Sequence, residues 1–443
     1  MTIQDHDSFN ADLVEFLDAS PTPFHAVLSM GKMLLKAGFT ELNESVEWTL
    51  EAGNKHFVTR NGSSIIAFVV GHDDLVTNGI RLVGAHTDSP CLMVKPQPEI
   101  DSHGYFQLGV EVYGGALLNP WFDRDLSIAG RVVYKNSKNQ LKQKLVDFKT
   151  AVATIPSLAI HLDRDANNDH SINAQTDIIP ILMLGNEGSV CESDTPQSFR
   201  ELLRERFLAE SDDVLDYELC LYDTQPAAVI GLKREFIASA RLDNLLSCFA
   251  ATQAMIGANA AHTCLLVCND HEEVGSVSAV GADGPFLENI VGRLSGDQSA
   301  SVTSRIINRS LMISCDNAHA AHPNFPDKHD SEHLPKLNGG PVVKVNVKQR
   351  YATTSLTSSL FRQICAELEI PVQTFVSRND LGCGSTIGPV ASARIGVPTL
   401  DVGIPQLAMH SCREMTGADD PLRLTKVLLE FFNKAEAITV ELE

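Results

Sequence analysis

Phe24, Val27, Leu28, Gly31, Leu34 and Leu35 recur at helical spacing, and Thr22-Pro23 and Gly38 supply a start and a stop, so the pattern predicts a helix early in the chain. Two extended runs follow, Phe57–Thr59 and Ile65–Val70, split by the turn pair Asn61-Gly62. A short apolar strand, Ile80–Gly84, leads into Ala85-His86-Thr87-Asp88-Ser89-Pro90. From about Val94 the texture changes to short β-like runs (Phe106–Val112, Ala129–Tyr134, Ala228–Leu232), turn residues and a polar stretch at Asp163–Gln175. Alternation of helix and strand returns after Lys233: a helix from about Leu242, strands at His262–Cys268, Leu311–Cys315 and Val342–Val347, a helix over Ser355–Leu368, a strand at Thr399–Val402 and a closing helix over Pro421–Ala437. The expected class is α/β, a mixed sheet with helices on both faces, plus an inserted, mainly β domain. The insertion is placed at 94–233, which leaves 1–93 and 234–443 as one discontinuous domain.

Composition narrows the partners. At 443 residues the chain exceeds what one core usually holds, in keeping with two domains. With 44% hydrophobic and 21% charged residues it is ordinary globular material with little room for disorder. A formal net charge of -21 repels phosphate backbones and anionic lipids, which argues against nucleic-acid and membrane partners. It leaves an acidic substrate open, because a basic group inside a pocket outweighs distant surface charge in screening salt. The ten cysteines form no Cys-x-x-Cys pair, and Cys248, Cys264, Cys268 and Cys315 sit in apolar runs. That usage fits a reducing compartment, Met1–Asn10 lacks signal-peptide character, and no apolar run approaches the roughly 18 residues of a membrane span. A cytoplasmic protein is expected.

Acids and histidines then change the picture, because they fall beyond strand ends. His86 follows Ile80–Gly84, Asp270-His271-Glu272-Glu273 follows His262–Cys268, Asp316 follows Leu311–Cys315, and His410 comes a short loop after Thr399–Val402. In open α/β sheets, sites form in the crevice past the carboxyl ends of strands. Asp243 sits at a predicted helix start, where it could equally be a cap. Taken singly, each has an ordinary structural explanation. Gathered in one crevice, they would be costly to bury without a cation. Imidazoles and carboxylates without thiolates suit zinc, manganese or cobalt, and five ligands exceed the needs of one catalytic zinc. Two ions are expected: Asp243 bridging, His86 and Asp316 on one, Glu273 and His410 on the other. Asp88 would fix the His86 tautomer, and Glu272 would serve as general base to the attacking water. Gly382, Gly384 and Gly388 lack the context of a phosphate loop and read as a tight turn, and His322, His329 and His333 read as a surface loop before an auxiliary metal site.

With those residues assembled, the chain resembles the aspartyl aminopeptidase family of zinc peptidases. The resemblance rests on Gly84-Ala-His-Thr-Asp-Ser-Pro90, Ser239-Ala-Arg-Leu-Asp-Asn244, Asp270-His-Glu-Glu-Val-Gly-Ser276, Ser314-Cys-Asp-Asn-Ala-His-Ala-Ala-His-Pro323, Gln349-Arg-Tyr-Ala352, Cys383-Gly-Ser-Thr-Ile-Gly-Pro389 and Ala408-Met-His-Ser-Cys-Arg-Glu414, in that order along the chain. It implies removal of an N-terminal residue, preferably Asp or Glu, from peptides. It implies two divalent ions per subunit, zinc foremost with manganese or cobalt an option at one position. It also implies a homododecamer built from dimers through the inserted domain. By the same match His86, Asp243, Glu273, Asp316 and His410 look like ligands and Glu272 like the acid/base. His319, Lys344 and Tyr351 look like substrate contacts, Lys344 meeting the acidic side chain. His161 looks like a contact delivered to a neighbouring subunit's site, though a metal role is equally readable from sequence. On residues alone, Lys344 on the polar side of its strand would pass for a solvated lysine. Two rivals stand beside this reading: another two-metal amidohydrolase, such as a carboxypeptidase or deacylase, and a non-catalytic assembly protein that kept the fold.

Overall fold

The computed structural model describes residues 5–185, 198–296 and 299–434, and the chain falls into two units. The first comprises residues up to Ser89, Ala227–Met409 and Glu414 onward; the second comprises Pro90–Pro226 with His410–Arg413. The inserted segment thus begins and ends a few residues before the expected 94–233. The strand expected at Ala228–Leu232 is Ala228–Ile230 and belongs to the first unit, because it pairs with Phe236–Ser239.

Apolar runs build the large sheet of the first unit. Its nine strands are β1 (Thr40–Glu41), β2 (Lys55–Arg60), β3 (Ser64–Val69), β4 (Arg81–His86), β5 (Cys264–Asn269), β6 (Leu311–Cys315), β7 (Val342–Val345), β8 (Gln373–Val376) and β9 (Thr399–Gly403), in spatial order β1-β2-β3-β5-β4-β6-β9-β7-β8. The central four, β5, β4, β6 and β9, run parallel, while β3 and β7 flank them antiparallel. Along each central strand, successive residues alternate between two cores, as the two-residue period of a strand requires. Val83, Ala85, Leu266, Ile313 and Leu400 join one core; Leu82, Leu265, Val267 and Met312 join the other. The first is covered by α1 (His6–Asp18), α2 (Pro23–Lys36), α3 (Leu242–Gly257), α6 (Ser355–Glu367) and α8 (Asp420–Asn433), and the second by α4 (Phe286–Leu294), α5 (Ala300–Asn308) and α7 (Ile387–Ile395). Burial on both faces explains why these strands read as continuous apolar runs.

Two local differences from expectation, at His86 and Asp243, and one expected turn have physical reasons. His86 is the last residue of β4 rather than a residue past it, since Asn269 lies beside it in register. The hairpin between β2 and β3 turns on Asn61 and Gly62, both at positive φ, as a tight right-twisted hairpin demands. In α3 the backbone at Asp243 (φ -82°, ψ 106°) is not helical, so the regular helix begins after the ligand candidate.

A smaller five-stranded sheet of the first unit, in order Ala228–Ile230, Phe236–Ser239, Glu414–Gly417, Pro405–Leu407 and Ala318–His319, positions Glu414 and His319. The second unit, described by itself, is a six-stranded antiparallel sheet around a core that includes Leu108, Trp121, Ile128, Phe199 and Leu219.

Candidate metal centre and substrate pocket

The register of the parallel strands decides the site. β4, β5 and β6 end side by side, so His86, Asp270 and Asp316 emerge at one edge of the sheet. The His86 ring is fixed from behind. Its Nδ1 lies 3.1 Å from the Asp88 carbonyl oxygen and 3.3 Å from the Asp88 carboxylate, both acceptors, so Nδ1 carries the proton and Nε2 presents a lone pair. That Nε2 faces Asp243 Oδ1 at 3.4 Å, Asp316 Oδ1 at 3.6 Å and Glu272 Oε2 at 4.0 Å. Such spacing of acceptor atoms leaves room for an ion among them.

The Glu272-Glu273 turn is built from the same carboxylate. His271 and Gly275 adopt positive φ, which winds a single 3-10 turn over Glu272–Val274. The turn aims its first two N–H groups at Asp88, Glu272 donating to Oδ1 at 3.1 Å and Glu273 to Oδ2 at 3.0 Å. Asp243 is held through its backbone. Its N–H donates to Glu414 Oε2 at 3.0 Å, and its carbonyl accepts the Ser89 hydroxyl. Asp316 is held by charge: Lys344 Nζ lies 3.2 Å from Oδ2 and donates to the Asn317 carbonyl at 3.2 Å. Lys344 is buried, not the solvated lysine its strand pattern alone implies.

Negative charge dominates the cluster. Among the described residues of the first unit, Asp88, Asp243, Glu272, Glu273 and Asp316 gather round His86, with Lys344 against Asp316, in a largely buried space. Burial, then the charges of neighbouring acids, pushes Glu272 up to about 8 against the opposing pull of His86, and burial and Asp243 raise Glu273 well above the ordinary range. Burial would depress His86, but Asp243, Asp316, Asp88 and Glu272 outweigh it and raise it. Burial likewise pushes Asp316 up, yet the Lys344 charge and His86 carry it below its ordinary value. A buried excess of carboxylates over cationic side chains favours a cation among them. Two triplets, His86/Asp243/Asp316 and His86/Glu272/Glu273, bring ligand atoms within 4.8 Å of one another. The neighbouring thiol, Cys248, donates to the His86 carbonyl at 3.0 Å and is raised well above its usual pKa by burial, so it is no thiolate. The donors are imidazole and carboxylate, which fits zinc-like ions.

Beside this cluster a cavity of about 310 Å³ is lined by His319, Tyr351, Phe375, Cys383 and Gln406 among others. His319 meets Phe375 edge-on at 5.7 Å, and the Lys344 ammonium lies 5.1 Å from the Tyr351 ring centre. Burial and a hydrogen bond to Cys383 push the Tyr351 phenol far up, so it stays protonated. His410 is placed within the second unit by a bond between its Nδ1 and the Gly115 carbonyl at 3.1 Å, which leaves Nε2 as the acceptor. His161 lies on an exposed turn of the second unit.

Sequence reasoning missed Glu414, Asn317 and Gln406. Asn317 Nδ2 donates to Gln406 Oε1 at 2.9 Å and to the Leu242 carbonyl at 2.8 Å, tying the Asp316 segment to the Asp243 segment. It named Asp270 but gave it no role; the residue is buried and raised to about 6 by burial and by the charge of Asp88. Polar residues within motifs were visible; their partners, far away in the chain, were not.

Known proteins resemble this chain over nearly its whole length. The family model of aminopeptidase I zinc metalloproteases (M18) matches residues 16–432. A probable M18 family aminopeptidase 2 of Stutzerimonas stutzeri is 56% identical over 434 residues, covering 97% of this chain and 99% of its own. Its counterpart in Pseudomonas aeruginosa is 54% identical over 431 residues, covering 96% and 98%. Among solved structures, Ape4 in its complex with Nbr1 aligns at TM-score 0.92 and 39% identity, over 96% of this chain and 86% of that one. The S. cerevisiae mApe1 dodecamer aligns at TM-score 0.84 and 28% identity, over 97% of each chain. The chain belongs to the M18 family of zinc metallo-aminopeptidases, hydrolases that act at the N-terminus of peptides.

Proposed function

We propose that this enzyme removes an N-terminal Asp or Glu using two divalent ions. His86 and Asp316 would hold one and Glu273 and His410 the other, with Asp243 contributing to both. Zinc suits both positions, with manganese or cobalt an alternative at one. The observation that carries the proposal is the His86 Nε2 lone pair turned toward three carboxylates in a buried excess of negative charge. The tautomer of His410, set by the Gly115 carbonyl, supports its place in the set. When bound, two such ions supply Lewis acidity to the scissile carbonyl and lower the pKa of water. Glu272 takes the proton of the attacking water and returns it to the leaving amine. Its side chain is one residue from a ligand, and its backbone is fixed by Asp88.

His319 and Tyr351 line the pocket for the N-terminal residue. Lys344 selects an acidic side chain: two of its three N–H donors engage Asp316 and Asn317, and the third is assigned to the substrate carboxylate. The second unit serves dimerisation within a homododecamer. Support comes from the neighbour solved as a dodecamer and from the exposed Leu158, Ile160 and Leu162 that flank His161. In that assembly His161 reaches a partner's site and steadies the oxyanion. The cysteines of the described residues form no disulfide, in keeping with the cytoplasm, and no helix among those residues is long and apolar enough to cross a membrane.

Metal analysis combined with a panel of N-terminal residues tests the reading. Two zinc equivalents and fastest cleavage of aspartyl and glutamyl substrates are expected. Preferential cleavage of N-acylated amino acids would replace this reading with a deacylase. Lys344→Met should abolish the acidic preference while metal content stays; loss of metal instead would make Lys344 a support for Asp316.

A further inference from the structure

We propose that Asp401 is a positioning residue of the substrate pocket, its buried carboxylate tying together the two segments that form the pocket wall. The inference rests on reading the His319–Tyr351 cavity as the place where substrate sits. Asp401 stands inside β9, in Thr-Leu-Asp-Val-Gly, and is fully buried. A carboxylate in such a place requires strong partners. Oδ2 accepts the Ala352 N–H at 2.6 Å, and Oδ1 accepts the Thr386 hydroxyl at 2.6 Å. The Asp401 N–H donates in turn to the Thr353 hydroxyl at 3.0 Å.

These partners belong to the Gln349-Arg-Tyr-Ala352 segment and to the Cys383–Pro389 segment. Ala352 follows Tyr351, and Thr386 lies two residues past Gly384; Tyr351, Cys383 and Gly384 all line the cavity. Nearer the surface, the Ser385 hydroxyl donates to the Arg350 carbonyl at 3.3 Å, joining the same segments a second time. Thr386 occupies the N-cap position of α7 but makes no capping bond with its side chain. The hydroxyl goes to Asp401 instead. Gly388, in the first turn of α7, lets the carboxylate approach, for a Cβ there would stand 2.3 Å from Oδ1.

Both oxygens act as acceptors, which an apolar side chain cannot reproduce. Asp401→Leu roughly keeps the volume but offers no acceptor to the Ala352 N–H or the Thr386 hydroxyl. The clamp opens and Tyr351 loses its fixed place. A residue that only shapes ground-state binding raises KM and spares kcat.

The test uses full-length, metal-loaded wild type, Asp401→Leu, Thr386→Val and the double variant, each with the N-terminal anilide that wild type cleaves fastest. Asp401→Leu should raise KM about tenfold with kcat within about twofold and metal content unchanged. Thr386→Val should raise KM about threefold, and the double variant should go no further than Asp401→Leu, since both act through one clamp. An unchanged KM in folded Asp401→Leu, a loss confined to kcat, or additive effects in the double variant would overturn the proposal. If Asp401→Leu does not fold, Thr386→Val decides, and an unchanged KM there overturns it equally. A wild type that prefers a non-acidic residue would sink the specificity reading alone, because the clamp is measured on whichever substrate wild type prefers.

Discussion

At the scale of single residues, Asp88 carries more than its position suggests. Its two carboxylate oxygens receive the N–H groups of Glu272 and Glu273, while the same side chain and its carbonyl lie against His86 Nδ1. Removing the side chain leaves the ring only the backbone carbonyl to hold it and loosens the turn that bears two acids. Asp88→Ala is therefore expected to weaken zinc binding by about 10–100-fold, read by competition with a chelator of known affinity. Glu272→Gln is expected to behave oppositely, keeping its metals and losing about 10²–10⁴ in kcat. Equal turnover in that variant would remove Glu272 as the base. The hold of Asp88 on His86 was legible from a spacing of two residues. Its hold on the glutamates was not, since those partners lie 184 and 185 residues away. Lys344 was misjudged by pattern alone for a related reason: alternation along a strand reports a second environment but does not distinguish water from a buried counter-charge.

Among elements, the apolar runs that became β4, β5, β6 and β9 were readable because strands buried on both faces leave little choice of residue. Helix α1 was not read, although Phe9, Leu13, Phe16 and Leu17 keep helical spacing and are buried; the acidic residues around them hid the stripe. Asp401 was passed over as part of an apolar strand, where a lone acid is itself a signal. The closeness of these strand ends also explains Gly403. A Cβ there would lie 2.1 Å from the Asp316 carbonyl oxygen, a backbone atom with no freedom to retreat. Gly403→Ala should cost about 1–3 kcal/mol in urea unfolding and should weaken metal binding as well, because relief of the clash displaces Asp316. A variant as stable as wild type with intact zinc affinity would contradict that coupling.

For the whole molecule, stripping the metals should expose the charge problem of the centre. Glu272 has a folded pKa of about 8, raised mainly by burial, against an unfolded value of 4.5. Without metal the folded state therefore holds a proton that the unfolded chain releases. Stability of the stripped protein should fall as pH rises from about 5 to about 8. Zinc should raise the melting temperature and flatten this slope, since a ligand of the native state stabilises it. Calorimetry of stripped and reloaded protein across that range checks both, and a slope that survives metal loading would contradict the account. The order of strands across the large sheet has one more consequence, which concerns manufacture rather than catalysis. β4 ends at His86, yet its neighbours β5 and β6 begin at Cys264 and Leu311. A ribosome must pass all of Pro90–Pro226 before β4 meets either flank, and contacts so distant along the chain form slowly. Asp243, Glu272 and Asp316, which face His86 Nε2, also come after that stretch, so the site is assembled only late in synthesis.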